Sequence, residues 1–165
     1  MFTTPPSKNS AESNAPLFCW DIAHPSLQKR IQTTEDIKCV QQLATQFQWD
    51  WTLDTKSLLV RNYTLVITNL SKEIVWASQH FEKLTGYACA EVIGRKPTFL
   101  QGEETSQKSL QTVREKLSTN AQVETKLLNY RKNGETYWCE IRILPIHNAD
   151  GFLTHFIAIE KEVDY

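Results

Sequence analysis

Four cysteines and four histidines are the side chains best suited to nucleophilic, redox or metal chemistry in this 165-residue chain. Neither set is spaced for it. Cys19, Cys39, Cys89 and Cys139 form no C-x-x-C pair, which argues against a compact zinc site or a dithiol redox centre. His24, His80, His147 and His155 lack metal-ligand spacing as well. No nucleophile sits in a recognisable elbow motif. The stretch that most needs a chemical explanation is GRKPTFLQG, Gly94 to Gly102, which holds two cations, a proline and an apolar pair between two glycines. A P-loop has four residues between its glycines and then Lys and Ser/Thr, so this loop is no phosphate cradle of that kind. Residue chemistry alone therefore predicts no catalytic residue, no metal site and no enzyme. A purely conformational account of the loop is also available. Gly94 stops one helix, Pro97 disfavours helix at Lys96, Phe99 and Leu100 plug the core, and Gly102 lets the chain turn into the next helix.

The elements that must position this loop follow from composition and periodicity. Hydrophobic residues make up 41% of the chain and charged residues 22%, as expected of a soluble globular protein of one domain plus a tail. With a formal net charge of −1, no general attraction to nucleic acid or an acidic membrane is expected. No stretch approaches the ~18 apolar residues of a spanning helix, and the N-terminus has no signal-like pattern, so a cytoplasmic location is expected. Residues 1–16 are rich in Ser, Thr, Pro and Asn and are expected to be a flexible tail. Residues 17–61 read as an N-terminal helical extension. Thr33, three before Asp36, resembles a weak capping box. Ile37, Val40, Leu43, Ala44 and Phe47 then recur at helical spacing, predicting a helix from about Glu35 to Phe47. A shorter helix is expected over Ser26 to Gln32, and Trp49, Trp51 and Leu53 alternate as in an extended segment.

From residue 62 to 165 the pattern changes. All five glycines lie after residue 85 and punctuate one unit. YTLVITN and EIVWAS predict a strand pair. QHFEKLTG and CAEVIG read as short helices ended by Gly86 and Gly94. Leu110, Val113 and Leu117 mark one face of a longer helix. Three strands follow, about Gln122 to Arg131, Glu135 to His147 and Phe152 to Glu162, joined by Gly-bearing turns. The sum is an α+β domain: a five-stranded antiparallel sheet with short helices on one face and a pocket between them.

This order of elements is similar to that of a PAS domain. FEKLTGYACAEVIGRKPTFLQGEET, LLNYRKNGETYWCEIRILPI and NADGFLTHFIAIEKEV resemble the light-oxygen-voltage (LOV) subgroup, three motifs in order over roughly Asn62 to Asp164. In LOV domains the loop reads G-R-N-C-R-F-L-Q-G, and its Cys attacks a light-excited flavin. The resemblance puts Pro97 at that place, where no thiolate is available to attack. It also puts Lys96, Thr98, Cys139 and Glu160 where the subgroup holds Asn, Arg, Asn and Gln. Gln101, Arg114 and Asn129 are retained, in places that contact ribityl, phosphate and ring. The implied cofactor site is Gln101, Arg114, Asn129, Cys139 and Glu160, with a weakened grip on FMN or FAD and no cysteinyl adduct. Haem is not expected, because no His lies between His80 and His147. Glu91 and Lys132 match positions that form an ion pair.

Strand parity supplies the other face of the sheet. Leu128, Tyr130, Trp138, Ile157 and Ile159 fall opposite the pocket, too much apolar surface for water. The resemblance implies pairing through this face, so a homodimer is expected, with output to a separate effector protein. Three readings remain open at this point. One is a PAS sensory module acting through protein contacts. Another is a non-covalent FMN or FAD sensor of redox state or blue light. The third is a structural dimerisation domain with a filled pocket.

Overall fold

The computed structural model describes residues 24–164. The expected flexible tail over residues 1–16, and Cys19, lie outside the described residues. Helix α1 spans Pro25–Gln46. His24 caps its first turn through Nδ1, and Pro25 occupies an opening position where a missing N–H costs nothing. The two helices expected on either side of Thr33 are thus one helix. Thr33 and Thr34 are interior residues whose hydroxyls donate to the carbonyls of Lys29 and Arg30, at 2.9 and 2.8 Å. Asp36 is occupied elsewhere: both its carboxylate oxygens accept from Gln79 N–H, at 3.2 and 3.0 Å. The segment after α1 reaches the sheet through a single bridge between Trp49 and Asn148. A short helix α2, Thr55–Val60, then follows, capped by Asp54 accepting from Ser57 N–H and Ser57 Oγ–H.

Strands β1 (Thr64–Thr68) and β2 (Ile74–Ala77) open the sheet. Helices α3 (His80–Thr85) and α4 (Cys89–Val92) and a 3-10 turn (Pro97–Leu100) come next. Helix α5 (Gln107–Ser118) leads to β3 (Val123–Tyr130), β4 (Thr136–His147) and β5 (Leu153–Glu162). All pairs are antiparallel and the spatial order is β2-β1-β5-β4-β3, so β5 lies in the middle. This is the five-stranded α+β architecture that the sequence predicts.

Register assigns the two faces, since directly paired residues point the same way. Val66 pairs with Ala158, Ile141 with Glu160 and Leu127 with Cys139, all on the inner face. There Phe81, Val92 and Leu100 close over Val66 and Ile74, while Leu84 and Leu110 close over Leu127, Cys139 and Ile141. On the outer face Leu65, Ile67, Ile157 and Ile159 pack with Val40 of α1, Trp49 and Leu59.

That outer cluster corrects the apolar face expected from the sequence. Ile157 and Ile159 are 0% and 5% exposed, sealed by α1 and the segment behind it. Tyr130 is engaged at the sheet edge, where its hydroxyl accepts from Glu104 N–H at 3.0 Å. Leu128 and Trp138 stay half-buried. The reason is reach: α1 is 22 residues long, not 13 or so, and Trp49, Trp51 and Leu53 extend its cover.

Candidate functional site

The loop from Gly94 to Gly102 is held by backbone bonds at its start. Gly94 N–H donates to Ile74 C=O at 2.8 Å, and Ile74 N–H donates to Arg95 C=O at 2.9 Å. Lys96 is extended, φ −82° and ψ 139°, as a residue before proline prefers. Pro97 then opens the 3-10 turn. Leu100 enters the core at 3% exposure. Phe99 is half-buried and packs against the same core cluster, with Tyr87 at a ring-centroid distance of 4.9 Å and the Arg95 guanidinium 4.1 Å from its ring. Gly102 is required for closeness rather than for turning. A Cβ there would stand 2.4 Å from the Tyr130 ring.

Behind the loop lies a cavity of about 370 Å³ between the inner sheet face and α5. Its wall is aliphatic: Val66, Leu127, Ile141, Ile143 and Ala158 from the sheet, and Leu110, Val113 and Leu117 from α5. Pro97, Thr98 and Gln101 contribute from the loop. Three cations also reach it, Lys72, Lys96 and Arg114. Lys72 sets its ammonium 3.7 Å from the centre of the Phe156 ring. None of the three forms an ion pair among the described residues.

One acid faces this interior. Glu160 is 4% exposed, lines the cavity, and its Oε2 has no hydrogen-bond partner. Burial pushes its carboxyl up to about 7. A residue near a strand's end is often wetted, but β5 is central, and Glu160 sits between Thr64 of β1 and Ile141 of β4.

The residues singled out in the sequence separate into two groups. Pro97, Gln101, Arg114 and Glu160 line the cavity together, with Lys96 and Thr98. Asn129 and Cys139 are buried outside its lining. Cys139, expected on the pocket wall, is a core residue packed among Leu84, Leu110, Leu127 and Tyr137. The reason is that Leu84 of α3 and Leu110 of α5 meet over it and close that end. Burial pushes its thiol well above the usual range. Cys39 and Cys89 also lie away from the cavity, the Cys89 thiol donating to Ser78 C=O at 3.4 Å. Lys72 was not anticipated. It lies in the turn between β1 and β2, with φ 66°, and only the hairpin geometry swings it over Phe156. The expected pair does form: Lys132 Nζ donates to both oxygens of Glu91, at 2.8 and 2.9 Å.

Two further polar sites lie on the outer side. The Asp36 carboxyl, buried against α3, is pushed up to about 6 by desolvation, opposed by its bond from Gln79 N–H. His155, 5% exposed beneath Phe47 and Trp49, has its imidazole pushed down by burial. No described helix is long and apolar enough to cross a membrane.

The family described as PAS domain matches residues 62–164. A blue-light-activated histidine kinase of Brucella canis is 38% identical over 90 residues, 54% of this chain and 18% of the kinase. Protein TWIN LOV 1 of Arabidopsis thaliana is 36% identical over 115 residues, 68% of this chain and 29% of that protein. The chain thus spans under a third of either relative. Among solved structures, a light-oxygen-voltage domain studied with a flavin analogue aligns with a TM-score of 0.63 at 38% identity, covering 66% of this chain and 83% of that one. The light-state LOV domain of the photoreceptor Aureochrome1 aligns at 0.60 with 28% identity, covering 68% and 90%.

Proposed function

The chain belongs to the PAS domain family, and from that premise we propose a LOV-like sensory module that signals through protein contacts without a cysteinyl–flavin adduct. The observation that carries this is the cavity wall itself. Pro97 stands in it, and none of the three described cysteines lines it. A thiolate must reach the acceptor it attacks, and a buried thiol with a raised pKa is a poor thiolate source. The test is illumination. Purified protein supplied with FMN should show no reversible loss of blue absorption and no band of a thiol adduct. A reversible bleach accompanied by the thiol-adduct band, and lost in a Cys39→Ala, Cys89→Ala or Cys139→Ala variant, would sink the reading.

A flavin itself fits only part of this site. Arg114, Lys96 and Lys72 suit a phosphate at the mouth. The ring-edge donors are absent from the lining, because Asn129 and Cys139 lie outside it and Glu160 replaces an amide with an acid. Each missing bond weakens binding by about 0.5–1.5 kcal/mol. No step of the proposed function runs through a flavin.

Contact with a second copy of the chain belongs to the same proposal, now confined to the outer side of β3 and β4. Leu128 and Trp138 are its apolar members, framed by Glu124, Lys126, Glu140 and Arg142 of alternating sign. Trp138→Glu should convert a dimer into a folded monomer in sedimentation. A wild-type chain that sediments as a monomer at high micromolar concentration removes this contact and leaves a separate effector as the partner.

A further inference from the structure

We propose that the cavity takes an aliphatic carboxylate of medium length whose far end carries a hydroxyl or similar hydrogen-bond donor. The inference rests on the sensory reading above and names the ligand class for that site. Three features of the wall point to it. Its middle is aliphatic from both sheet and helix, with Ala158 and Ile143 lining it from the sheet and Leu110 and Leu117 from the helix. Phe156 is the one aromatic ring in the lining, and one of its faces is taken by Lys72 at 3.7 Å. A flat heteroaromatic ligand thus loses the surface on which it would stack, whereas an alkyl chain needs none.

Charge sets the direction of entry. Lys96 and Arg114 are exposed cations at the rim, and neither has an acid partner among the described residues. With the partly desolvated Lys72 they form a triad that holds a carboxylate by charge-assisted hydrogen bonds. Glu160 marks the other end. It lies four residues beyond Phe156 on β5, about 13 Å away at the strand rise of roughly 3.3 Å per residue. Its Oε2 is buried without a partner and lines the cavity. An unpaired buried acceptor is costly, and a donor at the end of the chain satisfies it. Cationic mouth, aliphatic middle and orphan acceptor thus read as one elongated ligand with a group at each end.

The experiment is calorimetric titration of the whole 165-residue chain with decanoate, ω-hydroxydecanoate, decanol and FMN, each below its aggregation limit. ω-Hydroxydecanoate should bind about tenfold tighter than decanoate. Charge reversal of the exposed Lys96→Glu or Arg114→Glu should weaken both acids at least tenfold while circular dichroism shows the fold intact. Glu160→Leu should abolish the preference for the hydroxyl and leave decanoate binding. The inference is overturned if no acid binds, if decanol binds as tightly as decanoate, or if Glu160→Leu keeps the hydroxyl preference. Binding of FMN that excludes both acids also overturns it. The acid titrations use no light and the illumination test reads only an adduct, so the ligand class and the sensory reading fail separately.

Discussion

Glu160 offers the sharpest thermodynamic test, through the variant Glu160→Gln. Burial raises its carboxyl from 4.5 to about 7 in the folded protein. The folded state therefore keeps a proton that the unfolded chain has already released. Stability is greatest below the unfolded value, falls as pH rises from about 4.5 to 7, and levels off above 7. At about 1.36 kcal/mol per unit, the whole span is about 3 kcal/mol, of which about 2.5 kcal/mol falls between pH 5 and pH 8. Glutamine has nearly the same shape and no proton to lose, so the variant should lack this component. The assay is urea unfolding of both proteins at the two pH values. Asp36, raised to about 6, destabilises the fold in the same direction as pH climbs, while His80 and His155, both pushed down by burial, act oppositely at lower pH. Subtracting the variant from the wild type removes those shared contributions. Equal pH slopes for the two proteins would refute the claim that Glu160 is held in a closed apolar interior.

Other expectations concern packing. Gly102→Ala should cost about 1–3 kcal/mol, because the new methyl overlaps the Tyr130 ring, and the cost should shrink in a Tyr130→Ala background measured by the same denaturant melts. Asp36→Ala should leave Gln79 N–H without its acceptor and cost about 1–3 kcal/mol. Limited trypsin digestion should then cut α1 at Lys29 or Lys38 faster than in the wild type, and unchanged cutting would show that Asp36 does not fasten the helix. Lys132→Ala should alter stability by only about 0–1 kcal/mol, since its partner Glu91 is exposed and water competes for both, and a larger loss would contradict the surface reading.

The order of elements was legible because turns and helix ends are written in glycine and polar residues that act locally. Gly86 ends α3 with φ 76° and Gly134 turns β3 into β4 with φ 86°, so the boundaries fell where they were expected. The beginning of α1 was not legible. Thr33 and Asp36 look like a cap in one dimension, but a threonine inside a helix can return its hydroxyl to the preceding turn, and Asp36 is spent on a backbone N–H 43 residues away. Strand parity pointed Glu160 toward the interior, where it lines the cavity. What parity cannot supply is depth. Ile157 and Ile159 were placed on the right side and then judged open, because the extent of α1 and the course of Trp49 to Leu59 are tertiary facts. Cys139 failed in the same way: its face was right, but Leu84 and Leu110 decide whether that face is cavity or core. Lys72 was out of reach of any periodicity, since a turn residue is positioned by the hairpin and not by its own repeat.

The place of β5 in the sheet has a mechanical meaning. Phe156, Ala158 and Glu160 touch the cavity, while His155, Ile157 and Ile159 between them bear α1 and the aromatic residues behind it. A single backbone is thus the whole thickness of material between chamber and roof, like the skin of a drum. Because closely packed interiors resist compression, a body entering the chamber does not have to send word around the edge of the domain. It would press on one side of that skin, and the helix resting on the other side is the element in line with the push. In that picture the N-terminal helix stands where the needle of a diaphragm gauge would stand, one strand's thickness from the chamber.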